Sequence, residues 1–165
     1  MKPPTTPGGY ANTAGSTLER VVMDTLSGKG FRVVPWRDYR KLPEAFGAEV
    51  LVRDVPYDSI YGHAGKTEFV LYSGARGLAI RIECKWQQSP GSVDEKFPYL
   101  YLNAVEAMPE PTVYILVDGG GAKPGAVRWL RQAAHDRLYC PPGSTKEIRV
   151  MTLVEFISWA HKTFR

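Results

Sequence analysis

Along the chain, apolar positions recur first at helical spacing and then in alternation. Leu18, Val21, Val22 and Leu26 share one face of a helix that Ser16 or Thr13 would cap and that Gly28 and Gly30 would end. Residues 31–34 form a short β run closed by Pro35, and residues 49–53 form a second. The stretch 54–65, with Pro56, Gly62 and Gly65, is turn-rich. Residues 67–72 and 78–86 then read as a β-hairpin about the turn 73–77. A helix is expected over 93–108, capped by Ser92 and holding Pro98 near its start. Residues 112–117 are almost wholly apolar, the mark of a strand covered on both faces. A helix over 125–137, with Val127, Leu130 and Ala134 on one side, a strand over 146–151 and a helix over 153–164 follow. This order predicts an α/β fold with a mixed β-sheet flanked by helices. Residues 1–12, rich in proline and glycine, read as a flexible N-terminal arm, and 13–165 as a single domain.

Composition narrows the partners. Of 165 residues, 44% are apolar and 12% aromatic, enough for a core and contrary to wholesale disorder. The formal charge of +4 favours anionic partners such as nucleic acid, though loosely. The cysteines are Cys84 and Cys140, with no CxxC pair, and His63, His135 and His161 lack ligand spacing, so neither a disulfide framework nor a zinc site is expected. No apolar run nears the roughly 20 residues that span a bilayer, and the start has no apolar segment of a signal peptide. No membrane partner and a cytoplasmic location are therefore expected, in the host cytoplasm if the chain is phage-encoded. The glycines at 119–121 lack the spacing of a phosphate-binding loop, and Pro124 removes a donor, so they read as a mobile loop.

The chemistry concentrates in one strand. Alternation puts Ile80, Ile82, Cys84 and Trp86 on one face and Arg81, Glu83, Lys85 and Gln87 on the other. Alone, that is a half-buried strand with a solvated side. Glu68, at the head of the preceding strand, changes the picture, because a hairpin would set it beside Glu83. Paired carboxylates repel unless a cation lies between them, and hard divalent ions take carboxylate, water and phosphate oxygens. Lys85 would point to the same place, where an ammonium stabilises charge at a phosphate or serves the attacking water.

Glu83-Cys84-Lys85 on an amphipathic strand, after a hairpin and before a helix, with Glu68 fifteen positions earlier, resembles the PD-(D/E)XK nuclease superfamily. The resemblance covers residues 13–118, and the stretches VPYDSIYGHAGKTEFVLY and IECKWQQSPGSVDEKFPYLYLNA are similar to a bacterial and phage branch of it. It implies a restriction-endonuclease-like core of a helix, a three-stranded meander, a second helix and a further strand. It makes Glu68 the first motif acid, Glu83 the second and Lys85 the motif lysine, with Gln87 as the glutamine of an EXKXQ pattern. Glu19 matches a frequent extra acid. Thr67 stands where the motif proline would, and Glu68 replaces the usual aspartate. Asp58 is an alternative first acid, read by itself as a turn residue.

The implied activity is a metal-dependent endonuclease that hydrolyses DNA phosphodiester bonds. Glu68 and Glu83 would bind Mg²⁺ or Mn²⁺, with Glu19 and the backbone carbonyl of Cys84 as further ligands, and Arg81 would position water or phosphate. Lys66, in the loop before Glu68, and Arg128 and Arg131, near one helix face with Arg137, are candidates to touch DNA phosphates, each weighed against a plain solvated surface. RNA stays open as a substrate. Many nucleases of this fold work as homodimers, but no sequence feature establishes one. The alternative is a catalytically inactive nuclease-fold DNA-binding or assembly protein of a phage or mobile element.

Overall fold

Burying alternate residues of six extended runs gives one mixed sheet. The computed structural model describes residues 7–165, with side chains from Thr17 onward. Its strands are β1 (Arg32–Pro35), β2 (Glu49–Asp58), β3 (Ala64–Ser73), β4 (Leu78–Trp86), β5 (Thr112–Asp118) and β6 (Glu147–Met151), adjacent in sequence order across the sheet. β2, β3 and β4 form an antiparallel meander; β1 runs parallel to β2, and β5 and β6 run parallel to β4.

The helices are α1 (Pro7–Ser27), α2 (Trp36–Tyr39), α3 (Val93–Glu106), α4 (Pro124–His135) and α5 (Leu153–Thr163). Leu18, Val22 and Leu26 of α1 and Phe156 and Ala160 of α5 cover one face of the sheet, against Phe69, Leu71, Ile80, Ile82 and Cys84. Phe97, Leu100 and Tyr101 of α3 and Leu130 of α4 cover the other, against Val113, Ile115 and Val117. A capping box between Thr152 and Glu155 fixes the start of α5. Among the described residues, no helix is long and apolar enough to cross a membrane.

The mixed sheet flanked by helices is the architecture that the sequence predicts, with three local differences. β2 continues through Asp58, so residues 54–58 are strand and not turn. β1 ends opposite Arg53, leaving one edge of β2 unpaired beyond it, the setting in which a strand tolerates Pro56. α1 starts at Pro7, where a missing N–H costs nothing, so residues 7–12 are helix and Thr13 and Ser16 lie within it. The rest of the expected arm, residues 1–6, lies outside the described residues. Ser92 precedes α3 but its side chain caps no N–H.

The polar side of β4 is largely buried: Arg81 is 1% exposed, Glu83 5% and Gln87 6%, with Lys85 partly exposed. Arg81 donates from Nε and Nη2 to the two carboxylate oxygens of Glu110, at 2.5 and 2.9 Å. Its Nη1 donates to Thr67 Oγ1 at 2.8 Å and to the Val55 carbonyl at 3.1 Å. The guanidinium also lies over the Tyr57 ring, 5.5 Å from its centroid. A fork-shaped cation held by a fork-shaped anion is the arrangement that makes a buried charge tolerable.

Glu110→Ala should therefore leave Arg81 charged and unpaired in the interior, at a cost of about 3–5 kcal/mol in denaturant unfolding. A loss below about 1 kcal/mol, as for a surface pair, would show that Arg81 is not sequestered.

Candidate active site

The site is a place where the sheet opens. β3 and β4 pair from Ser73–Leu78 to Phe69–Ile82 and no further, although the same register would set Glu68 opposite Glu83. In place of a backbone carbonyl, Glu68 Oε2 accepts the Cys84 N–H at 2.8 Å. On the other side of β3, the ladder to β2 skips from Arg53–Phe69 to Val55–Thr67, and Asp54 between them has a φ of 57°. Side-chain alternation shifts at this point. Phe69 packs toward α1, whereas Thr67, two residues away, meets Arg81 on the α3 side.

Glu83 and Lys85 share the α3 side of β4, as alternation requires. Lys85 Nζ is hydrogen-bonded to Glu83 Oε1, while Glu83 Oε2 is buried and has no partner. Burial pushes the Glu83 carboxyl up to about 7; Lys85 opposes that rise and the charge of Glu68 adds to it. Burial by itself would lower Lys85, but Glu83 and Glu68 outweigh it and hold the ammonium above its ordinary value. An acid that resists ionising and a lysine that resists losing its proton thus meet at one point.

Glu19 reaches the same break from α1. Burial raises its pKa, and the neighbouring charges of Glu68 and then Asp54 raise it further. Glu68 thus sits where the acids of both faces feel it. The Cys84 thiol faces the α1 core and is pushed well up, chiefly by burial, so it stays a protonated, small apolar group. Among the described residues, no three His, Cys, Asp or Glu side chains form a ready-made metal cage. The oxygens gathered at the break belong to Glu68 and Glu83, with Glu19 and Asp54 behind them.

A family model described as a PD-(D/E)XK nuclease superfamily domain matches residues 10–164. The chain belongs to the PD-(D/E)XK nuclease superfamily. No curated protein matches it. The superfamily is one of nucleases, which act on nucleic acid, and its members typically use divalent metals. Its fold accounts for the α/β sheet seen here, with the helix, meander, helix and strand of the core in α1, β2–β4, α3 and β5.

Several residues of the site were not visible in the superfamily motif. Tyr57 lies against Gly65 of β3, so closely that a Cβ on Gly65 would fall 2.6 Å from its ring. Its phenol is raised first by burial and then by the charge of Glu83, with Lys85 and Arg81 opposing, which puts it in the field of the pair. The apparent turn signals of 54–65 hid the strand that carries it. Glu110 and Thr67, the partners of Arg81, carry no sequence signal beyond their polarity.

Gln87 follows β4 and is fixed by its surroundings. Its Nε2 donates to the Ser89 carbonyl at 3.0 Å, and its Oε1 is buried without a partner. Gly121 N donates to the Gln87 carbonyl at 2.7 Å, and a Cβ on Gly121 would come within 2.5 Å of the Gln88–Ser89 backbone. The three-glycine loop, expected to be mobile, is thus packed against the segment that follows Lys85. The glycines permit close backbone approach.

The basic candidates are placed less favourably. Arg81 is buried and bonded on every side, so it is not offered to a phosphate. Lys66 pairs with Asp54 at 3.0 Å, near the break. Arg131 pairs with Glu155 at 2.8 Å, and Arg128 lines a groove of about 550 Å³ between α4 and β6. β6 is two strands from β4, so this groove is separate from Glu83 and Lys85. Arg137 lies past the end of α4 and donates to the Ser144 and Lys146 carbonyls. Asp58 is exposed at the end of β2, with no link to Glu83.

Two measurements check this description. A carboxyl raised by burial weakens the fold as pH climbs from its unfolded value, near 4.5, through its folded value, about 7. Metal-free Glu83→Gln should therefore unfold at higher temperature than wild type at pH 8 and show no advantage at pH 4; the same difference at both pH values would refute the assignment. Gly121→Ala should destabilise the fold by about 1–3 kcal/mol through backbone overlap, and an unchanged melting point would mean that the loop is free.

Proposed function

We propose that the protein is a divalent-metal-dependent nuclease that hydrolyses phosphodiester bonds in DNA. Glu68 and Glu83 would hold Mg²⁺ or Mn²⁺, and Lys85 would act at the phosphate. The observation that carries this reading is the second oxygen of Glu83, buried without a partner on a carboxylate whose other oxygen meets Lys85 and which feels the charge of Glu68. Such an oxygen is costly unless a cation or a proton meets it. The donor set is hard oxygen throughout, and Mg²⁺ commonly uses one or two carboxylates with water and phosphate, so the lack of a third carboxylate in the cage is no obstacle.

A divalent cation supplies two things when bound: a water of lowered pKa and charge neutralisation at the phosphate. The chain's own groups do the rest. Lys85 keeps its proton because Glu83 and Glu68 favour the charged form despite burial, so it acts as a fixed cation toward developing phosphate charge, not as the base. Glu68, through the Cys84 N–H, keeps its carboxylate aimed along the break. The unpartnered Gln87 Oε1 is an acceptor able to orient a water. Glu19 is suited to a ligand role through water, since its charge is coupled to Glu68. Arg81 acts at a distance, by fixing Thr67 and the strand beside Glu68.

Calorimetry with Mn²⁺ should show a site in wild type that Glu83→Ala abolishes. On a panel of duplex, branched, flap and single-stranded DNA, Lys85→Ala should lose about 10²-fold or more in metal-dependent cleavage. Cleavage equal to wild type by Lys85→Ala would defeat the mechanism, and nucleic-acid binding without metal binding or cleavage would indicate an inactive, binding-only member.

A further inference from the structure

Beyond Glu83 and Lys85, the hairpin of β2 and β3 continues to a tip whose geometry is unusually fixed. Ser59 N donates to the His63 carbonyl at 2.9 Å and Gly62 N to the Ser59 carbonyl at 2.8 Å. Ser59 Oγ and His63 Nδ1 are 2.9 Å apart. Ile60 N donates to Oδ1 of the buried Asn103 at 2.9 Å, which ties the tip to α3. This scaffold presents Tyr61, whose ring stacks on Tyr99 of α3 with centroids 4.9 Å apart and planes at 26°. His63 meets the same ring edge-on, at 6.0 Å and 85°. Tyr61 is nonetheless 73% exposed, so one face of its ring is open to water while the other is held.

Hairpin tips are ordinarily filled by glycine, asparagine, aspartate and serine. A tyrosine held there on one face and met at its edge by His63 gains little burial of its own. It offers a flat, rigid, outward π-face. The file of rings leads toward the proposed site, because Tyr57, four residues before Tyr61, feels the charges of Glu83 and Lys85 and the phenol of Tyr99. Even fully extended, four residues span at most roughly 13 Å, a short reach for a nucleic-acid strand. Lys96, exposed one turn before Tyr99 on α3, adds a charge suited to a phosphate beside the rings.

We propose that Tyr61, backed by Tyr99 and flanked by His63, is a stacking platform for an unpaired base, and that the substrate is single-stranded nucleic acid or carries a single-stranded arm. Bases of an intact duplex are already stacked on one another and present no free face to the ring, whereas every unpaired base does. The proposal rests on the nuclease reading above and gives it a substrate class.

The test uses the full chain in EDTA, so that binding is read without cleavage. The probes are a short single-stranded DNA carrying 2-aminopurine and the same sequence as a duplex. Wild type should bind the single strand more tightly and quench its fluorescence. Tyr61→Ala should lose about tenfold or more in single-strand affinity and leave duplex affinity unchanged, while Tyr61→Trp should keep both the affinity and the quenching. Undiminished single-strand binding by Tyr61→Ala, or equal losses on both probes, would overturn the proposal; Tyr61→Trp failing along with Tyr61→Ala would do the same. Mn²⁺-dependent cleavage of duplex by the same preparation would leave the nuclease reading standing even then.

Discussion

One strand of this protein carries charge into the interior, and the rest of the structure is arranged around that cost. In a medium far less polarisable than water, each ionised group on β4 needs a counter-charge or an orienting dipole close by. Arg81 has both oxygens of Glu110, a threonine hydroxyl and backbone carbonyls, and its account is closed. Two residues on, Glu83 has Lys85 on one oxygen and nothing on the other. The same strand therefore holds a satisfied charge next to an unsatisfied one. The first is architecture. The second is the group on which the proposed function draws.

The opening between β3 and β4 follows from the same economy of partners. Glu68 does not compete with the sheet but replaces one of its bonds, with a carboxylate oxygen standing in for a main-chain acceptor. The extra methylene of glutamate over the usual aspartate provides reach for that contact. Thr67, in the place of the motif proline, supplies an oxygen to Arg81 that proline lacks. Thr67 and Glu68, where the resemblance puts the motif positions, thus work together, one anchoring the rim of the opening and the other securing it.

Much of this was readable in the residues. The apolar alternation of β4 assigned Ile80, Ile82 and Cys84 to one face and Glu83 and Lys85 to the other, and the uninterrupted apolar run of β5 marked a central strand. What covers a face is a different matter from which residues share it. Nothing local says that Arg81 is covered, or that its partner is Glu110, 29 residues away. The proline and glycines of 54–65 suggested a turn, because their effect on a strand depends on whether an edge is paired, which is a tertiary fact. For the same reason the glycines at 119–121 looked like freedom, when their role is close packing.

The contact between Tyr57 and Gly65 ties shape to chemistry in one further way. The aromatic ring rests on bare main chain, in a slot that a single methyl group would close. Any slip of β2 against β3 by one residue would bring a side chain into that slot and lift the ring away. The alignment of the two strands and the position of the phenol beside Glu83 are consequently a single degree of freedom. A molecule that seized the far end of the hairpin would be pulling, through a stiff lever, on the electrostatic surroundings of the acid itself.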